Sequence, residues 1–236
     1  MSLVSQRCPV WDFKPNITFE NESGLPADDI EVPAGLSSSS VPGPTYVTPA
    51  RMVELLHQGS SSGAGHNLGV VHGLTTAELS VRFSDFSRQW VQVSTGVPGR
   101  FWQFRGGDVY LDLSITVYVL EGDRPDSKDP ISAQIFKIIF QHELLHVADE
   151  VDLVTRWMPS HAYRDEIVER YLTNAQQLDD GMLQHWFRGD HFADWLRTGF
   201  WSPEHNRRGG IRDAPKEYAA LQDEINALRR KQINRP

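Results

Sequence analysis

Cysteine is almost missing from this chain. Cys8 is the only one in 236 residues, so no disulfide can form within it. No run approaches the ~18 consecutive apolar residues of a membrane-spanning helix. Residues 1–8 lack the apolar core of a signal peptide. The compartment stays open, between secretion after loss of a leader and a cytoplasmic home. Basic residues are in deficit, 23 Lys and Arg against 31 Asp and Glu, for a net charge of −8. That balance argues against nucleic acid or an anionic membrane as the main partner. The glycine-rich stretch 59–65 has neither the lysine nor the spacing of a phosphate-binding loop. The chain does have 39% hydrophobic residues and seven Trp, enough for one substantial core.

Pattern predicts the regular elements. Thr48 and Pro49 open a short helix, with Thr48 as cap. Leu79, Val81 and Phe83 alternate with polar residues as in a strand, and Trp90 to Val93 reads as another. The clearest strand is Val109 to Leu120. Val109, Leu111, Leu113, Ile115, Val117 and Val119 share one face, and Tyr110, Asp112, Ser114, Thr116 and Tyr118 share the other. Pro130 then opens a helix that runs to Val154 without Gly or Pro, apolar around most of its axis and therefore buried. Further helices are expected near 161–178, 181–188, 190–198 and 214–232, with Gly199 ending the third. Trp186, Phe187, Phe192, Trp195, Phe200 and Trp201 predict an aromatic cluster in the core. The expected fold class is α+β: a small twisted sheet packed on a central helix, with a helical C-terminal part.

The central helix carries His142-Glu143-Leu144-Leu145-His146. At this composition an HExxH string arises by chance about 2 times in 100 chains, so its helical setting matters. Positions i and i+4 share a helix face, which lets two imidazoles converge on one zinc ion. Glu143 is one residue round from His142, where a carboxylate can flank the metal as a general base.

These residues resemble the zincin superfamily of zinc metallopeptidases, sharply over the motif helix and weakly beyond it. The resemblance implies a Zn2+ cofactor held by His142 and His146, with Glu143 as the base that activates a metal-bound water for peptide-bond hydrolysis. The implied partner is a peptide or protein substrate. The implied division is an irregular N-terminal arm or prosegment over 1–45 and a catalytic domain over 46–236, with sheet and active-site helix in 46–160 and helices in 161–236. In zincins an edge strand lines the cleft; Val109 to Leu120 reads equally as that edge or as an interior strand.

A third ligand is needed, and three readings compete. In the gluzincin pattern Glu166 supplies it, from a helix opened by Pro159 with Ser160 as cap, although Arg170 stands where that pattern has aspartate. In the metzincin pattern Asp152 has the right offset, although Asp149 replaces the turning glycine. Asp149 itself suits a hydrogen bond to a ligand imidazole. His161, Glu169, His185 and His191 form the remaining set. Glu166 is preferred. Tyr163, His161, His185 and His191 are candidate oxyanion donors. Two other functions stay open: a zinc hydrolase of a non-peptide amide, and a non-catalytic metal-binding or interaction module. The oligomeric state is not indicated.

Overall fold

The computed structural model describes residues 11–23, 30–37, 41–59, 71–84, 90–93, 101–104, 107–161, 178–179 and 191–234. In chain order the elements are β1 (Trp11–Phe19), β2 (Glu22–Ser23), β3 (Val41–Pro42), β4 (Pro44–Val47), α1 (Pro49–Gly59), β5 (Gly73–Phe83), β6 (Trp90–Val93), β7 (Phe101–Phe104) and β8 (Gly107–Leu120). They continue with α2 (Pro130–Asp152), α3 (Met158–His161), β9 (Leu178–Asp179), α4 (His191–Asp194), α5 (Ser202–Arg212) and α6 (Pro215–Ile233). Wider π-helical turns, Leu153–Trp157 and Trp195–Trp201, join α2 to α3 and α4 to α5. The fold is α+β, with the helices gathered towards the C-terminus.

In the main sheet β8 pairs with β1, β4 and β5. Two small antiparallel sheets accompany it, β2 with β3 and β6-β7-β9. Residues 1–45, expected to be irregular, contribute β1 to the main sheet, where Glu20 donates its backbone N–H to the Ile115 carbonyl at 3.0 Å. The chain forms two compact units, one of Met1–Asn16, Leu79–Leu113 and Leu153–Pro203, the other of Ile17–Glu78, Ser114–Asp152 and Glu204–Pro236. Each unit is assembled from segments distant in sequence, which linear composition does not register.

In the second unit β4 runs parallel to β8, from Pro44 opposite Val117 to Val47 opposite Leu120. On the other side of β8, Leu120 donates its N–H to the His72 carbonyl, just before β5, at 3.0 Å. β8 is therefore an interior strand here, and Ile115, Val117 and Val119 are wholly buried. Helix α2 starts where Asp129 accepts the Ile131 N–H at 3.0 Å, an N-cap that satisfies one free donor. It lays Phe136, Ile139, Phe140, Leu144 and Val147 into the core, all at or below 2% exposure. Phe136 stacks on Phe140 with ring centroids 5.4 Å apart and meets Tyr46 of β4 at 6.4 Å. Helix α1 is capped by Thr48 as expected, through the Arg51 N–H at 3.2 Å. It closes a smaller cluster of Val47, Met52, Leu55 and Leu120. Helix α6 docks through the wholly buried Ile225 and a polar network around Asp123.

In the first unit Val109, Leu111 and Leu113 of β8 are wholly buried, as are Leu153, Val154 and Met158. Trp157 stacks on His161 at 4.7 Å and meets Phe200 at 4.8 Å, and Trp195 lies 5.6 Å from Phe200. Trp186, Phe187 and the Phe192 side chain lie outside the described residues. One expectation fails here. Gly199 does not end a helix: the chain stays helical from His191 to Arg212, and a Cβ at Gly199 would come within 2.9 Å of the Trp195 ring. Ser160 lies within α3, its hydroxyl donating back to the Trp157 carbonyl at 2.9 Å, and the N–H groups it was expected to cap lie outside the described residues. Residues 178–179 are strand, not the end of a helix, and most of the helices expected over 161–178 and 181–188 fall outside the described residues.

Candidate metal centre

All the side chains of the site belong to the second unit. The apolar face of α2 packs Leu144 and Val147 into the core, which turns His142 and His146, one helical turn apart, away from it and towards Asp213. Their side chains are 13% and 16% exposed. The two rings stand nearly perpendicular, at 79°, with centroids 4.9 Å apart. Their Nε2 atoms are 3.2 Å apart, and Asp213 Oδ1 lies 3.2 Å from each. Asp213 follows α5 directly, where its N–H closes a last turn on the Gly209 carbonyl at 2.9 Å.

These three residues could hold a metal ion. Two features of the triangle fit one. A tetrahedral site with bonds of about 2.0–2.1 Å has donor-to-donor edges of about 3.3–3.4 Å, and all three edges here are 3.2 Å. With both Nε2–H groups donated to Asp213 Oδ1, the third edge, Nε2 to Nε2 at 3.2 Å, carries no hydrogen bond. A cation facing all three lone pairs satisfies them together.

The charges around the triangle favour a cation too. Burial works against an imidazolium at His146, but the hydrogen bond to Asp213 and the carboxylates of Glu143, Asp213 and Asp149 more than offset it, and its pKa rises. Burial likewise penalises the Asp213 carboxylate, yet the hydrogen bonds and charges of both histidines hold its pKa well below the ordinary range. Glu143 is shifted the other way. Its burial pushes the pKa up, against the lowering effects of His146, His142 and Thr75. Tyr218 of α6 sets its ring edge-on to His142 at 6.5 Å. Burial and the nearby charges of Glu143 and Asp213 push its phenol up to about 12, so it stays a neutral O–H donor.

Glu143 faces β5. Thr75 donates its hydroxyl to Glu143 Oε2 at 2.7 Å. A Cβ on Gly73 would lie 2.5 Å from Oε1, so only glycine leaves that oxygen its place. β5 has β8 on one side and no second strand partner among the described residues. The strand beside Glu143 is thus β5, whereas Val109 to Leu120 is interior.

The structure brings together His142, Glu143 and His146 of the expected set. Glu166, Glu169, His185, Tyr163 and the His191 side chain lie outside the described residues. His161 bonds to Ser160 and to the Trp157 carbonyl. Asp149 and Asp152 take other partners. Asp149 binds Arg212 through two bonds of 2.7 and 3.1 Å, not a ligand imidazole, and Asp152 binds Arg208 at 2.8 Å. The carboxylate that meets the histidines, Asp213, was not anticipated. It stands 67 residues after His146 and fits neither spacing pattern. Its one local signal is an acidic residue before Ala214-Pro215, where a new helix begins. No protein-family model matches the chain, and comparisons with curated proteins and with solved structures return no match.

Proposed function

We propose that the protein is a zinc-dependent metallopeptidase. The observation that carries this reading is the 3.2 Å triangle of two imidazole nitrogens and one carboxylate oxygen, with a buried glutamate next to the first histidine. His142, His146 and Asp213 would hold the ion. Nitrogen and carboxylate donors at tetrahedral spacing favour zinc over calcium or magnesium, which take six or more oxygen-rich positions. When bound, zinc supplies Lewis acidity, lowering the pKa of water and polarising a carbonyl.

The protein's own groups supply the rest. Glu143 Oε2 is committed to Thr75, so Oε1 takes the proton of the attacking water and returns it to the leaving amine. Burial raises the Glu143 pKa above the ordinary carboxylate value, the direction that makes a carboxylate a stronger base. Tyr218 offers a neutral O–H on the His142 side, where a developing oxyanion can be steadied. The edge of β5 that has no strand partner among the described residues suits an extended peptide backbone, which favours a peptide over a small non-peptide amide.

The test is peptide cleavage by zinc-loaded wild type and Glu143→Gln, assayed on a mixed peptide library. A loss of about 10²–10⁴-fold in kcat with zinc retained is expected. Equal cleavage by both proteins overturns the assignment of Glu143. Zinc bound by both proteins with no cleavage of any peptide or amide would move the reading to a non-catalytic metal-binding module.

A further inference from the structure

Helix α5 carries the approach to Asp213, yet none of its residues is buried. Ile211, its one large aliphatic side chain, is 56% exposed. What joins it to α2 is a ladder of charged groups. His205 Nδ1 meets Glu150 Oε1 at 2.6 Å. Arg208 Nη1 reaches Asp152 at 2.8 Å and the Asp149 carbonyl at 3.2 Å. Arg212 grips Asp149 with two bonds, Nε to Oδ2 at 2.7 Å and Nη2 to Oδ1 at 3.1 Å.

The last rung matters most for the site. Asp149 is three residues beyond His146 on α2, and Arg212 directly precedes Asp213. A forked guanidinium–carboxylate pair fixes direction as well as distance. We propose that Asp149 and Arg212 are positioning residues of the metal centre. Their clamp fixes the end of α5 so that Asp213 meets His142 and His146, and metal affinity depends on it. This rests on the reading of the triangle as a cation site.

Zn2+ affinity, measured by competition with a chromophoric chelator, tests the proposal. Circular dichroism of the metal-free proteins reports whether each variant folds. Arg212→Ala and Asp149→Asn should each weaken zinc binding about 10–100-fold at unchanged helix content, the range for a residue that orients a ligand. The double variant should be no weaker than the worse single, since the two act as one unit. Arg212→Lys, which keeps the charge and loses the fork, should fall between wild type and Arg212→Ala. Arg207→Ala should bind like wild type, because Arg207 pairs with Glu204 on its own helix. Co2+ substituted into Arg212→Ala should show weakened tetrahedral visible absorption.

Wild-type affinity in folded Arg212→Ala or Arg212→Lys, with affinity abolished in His146→Ala, overturns the clamp and leaves the metal site standing. Equal zinc binding by wild type and His146→Ala overturns the metal site itself.

Discussion

Thr75 and Glu143 are 68 residues apart in sequence and share a 2.7 Å hydrogen bond, the Thr75 hydroxyl donating to Glu143 Oε2. The strand that could line a cleft therefore also holds the carboxylate that would work in it. One oxygen of Glu143 is occupied, and the other lies over a residue with no side chain.

Removing that hydroxyl should weaken the base in a pH-dependent way. The bond from Thr75 favours ionised Glu143 and lowers a pKa that burial has raised. In Thr75→Val the Glu143 pKa rises further, so the ionised base is present only at higher pH. The acid limb of the kcat profile should move to higher pH by about one pH unit, with the loss growing as pH falls. Thr75→Ser should restore both. An unmoved acid limb in Thr75→Val would remove Thr75 from the mechanism.

A methyl group at Gly73 should displace the base and leave the metal alone. The added Cβ would sit 2.5 Å from Glu143 Oε1 and 2.9 Å from Cδ, closer than real Cβ contacts come. Glu143 or β5 must shift, at a cost of about 1–3 kcal/mol. The expected result for Gly73→Ala is normal zinc content with kcat reduced about 100-fold, since small misplacements cost that much. Full activity with full zinc content would contradict this packing.

Acid should loosen α6. Asp123 is 3% exposed and pairs with His72 Nδ1 at 2.7 Å, and Arg229 of α6 binds its other oxygen at 2.7 Å. Burial opposes its charge, but the His72 and Arg229 contacts outweigh burial and hold its pKa below the ordinary aspartate value of 3.8. A depressed carboxylate pKa stabilises the fold above the unfolded value. That stabilisation fades as pH falls from about 3.8 towards the folded pKa. Asp123→Asn should cost about 1–3 kcal/mol at pH 7, because the buried His72 and the partly exposed Arg229 lose their carboxylate. Its stability should also fall less steeply than wild type below pH 4. Urea unfolding of both proteins from pH 7 to 3 decides it; parallel slopes would show that Asp123 is not the group responsible.

How far the sequence is legible depends on whether a feature is local. The alternation over Val109 to Leu120 is a property of neighbouring residues, and all six residues of its apolar face are buried. The Thr48 cap and the unbroken helix from Pro130 are equally local. α5 escaped notice because it has no apolar stripe and contains Gly209 and Gly210. It is held by ion pairs, which leave no periodic trace.

From the chain alone come the two histidines, the glutamate between them and the buried helix that presents them, because a 3.6-residue repeat links positions i and i+4 without reference to the rest of the protein. Only the tertiary structure placed Asp213, and not Asp149 or Asp152, beside those histidines, and Gly73 and Thr75 beside Glu143. Those placements join residues 67 to 71 positions apart. They depend on where α5 and β5 dock against α2, which is set by packing and paired charges, not by spacing.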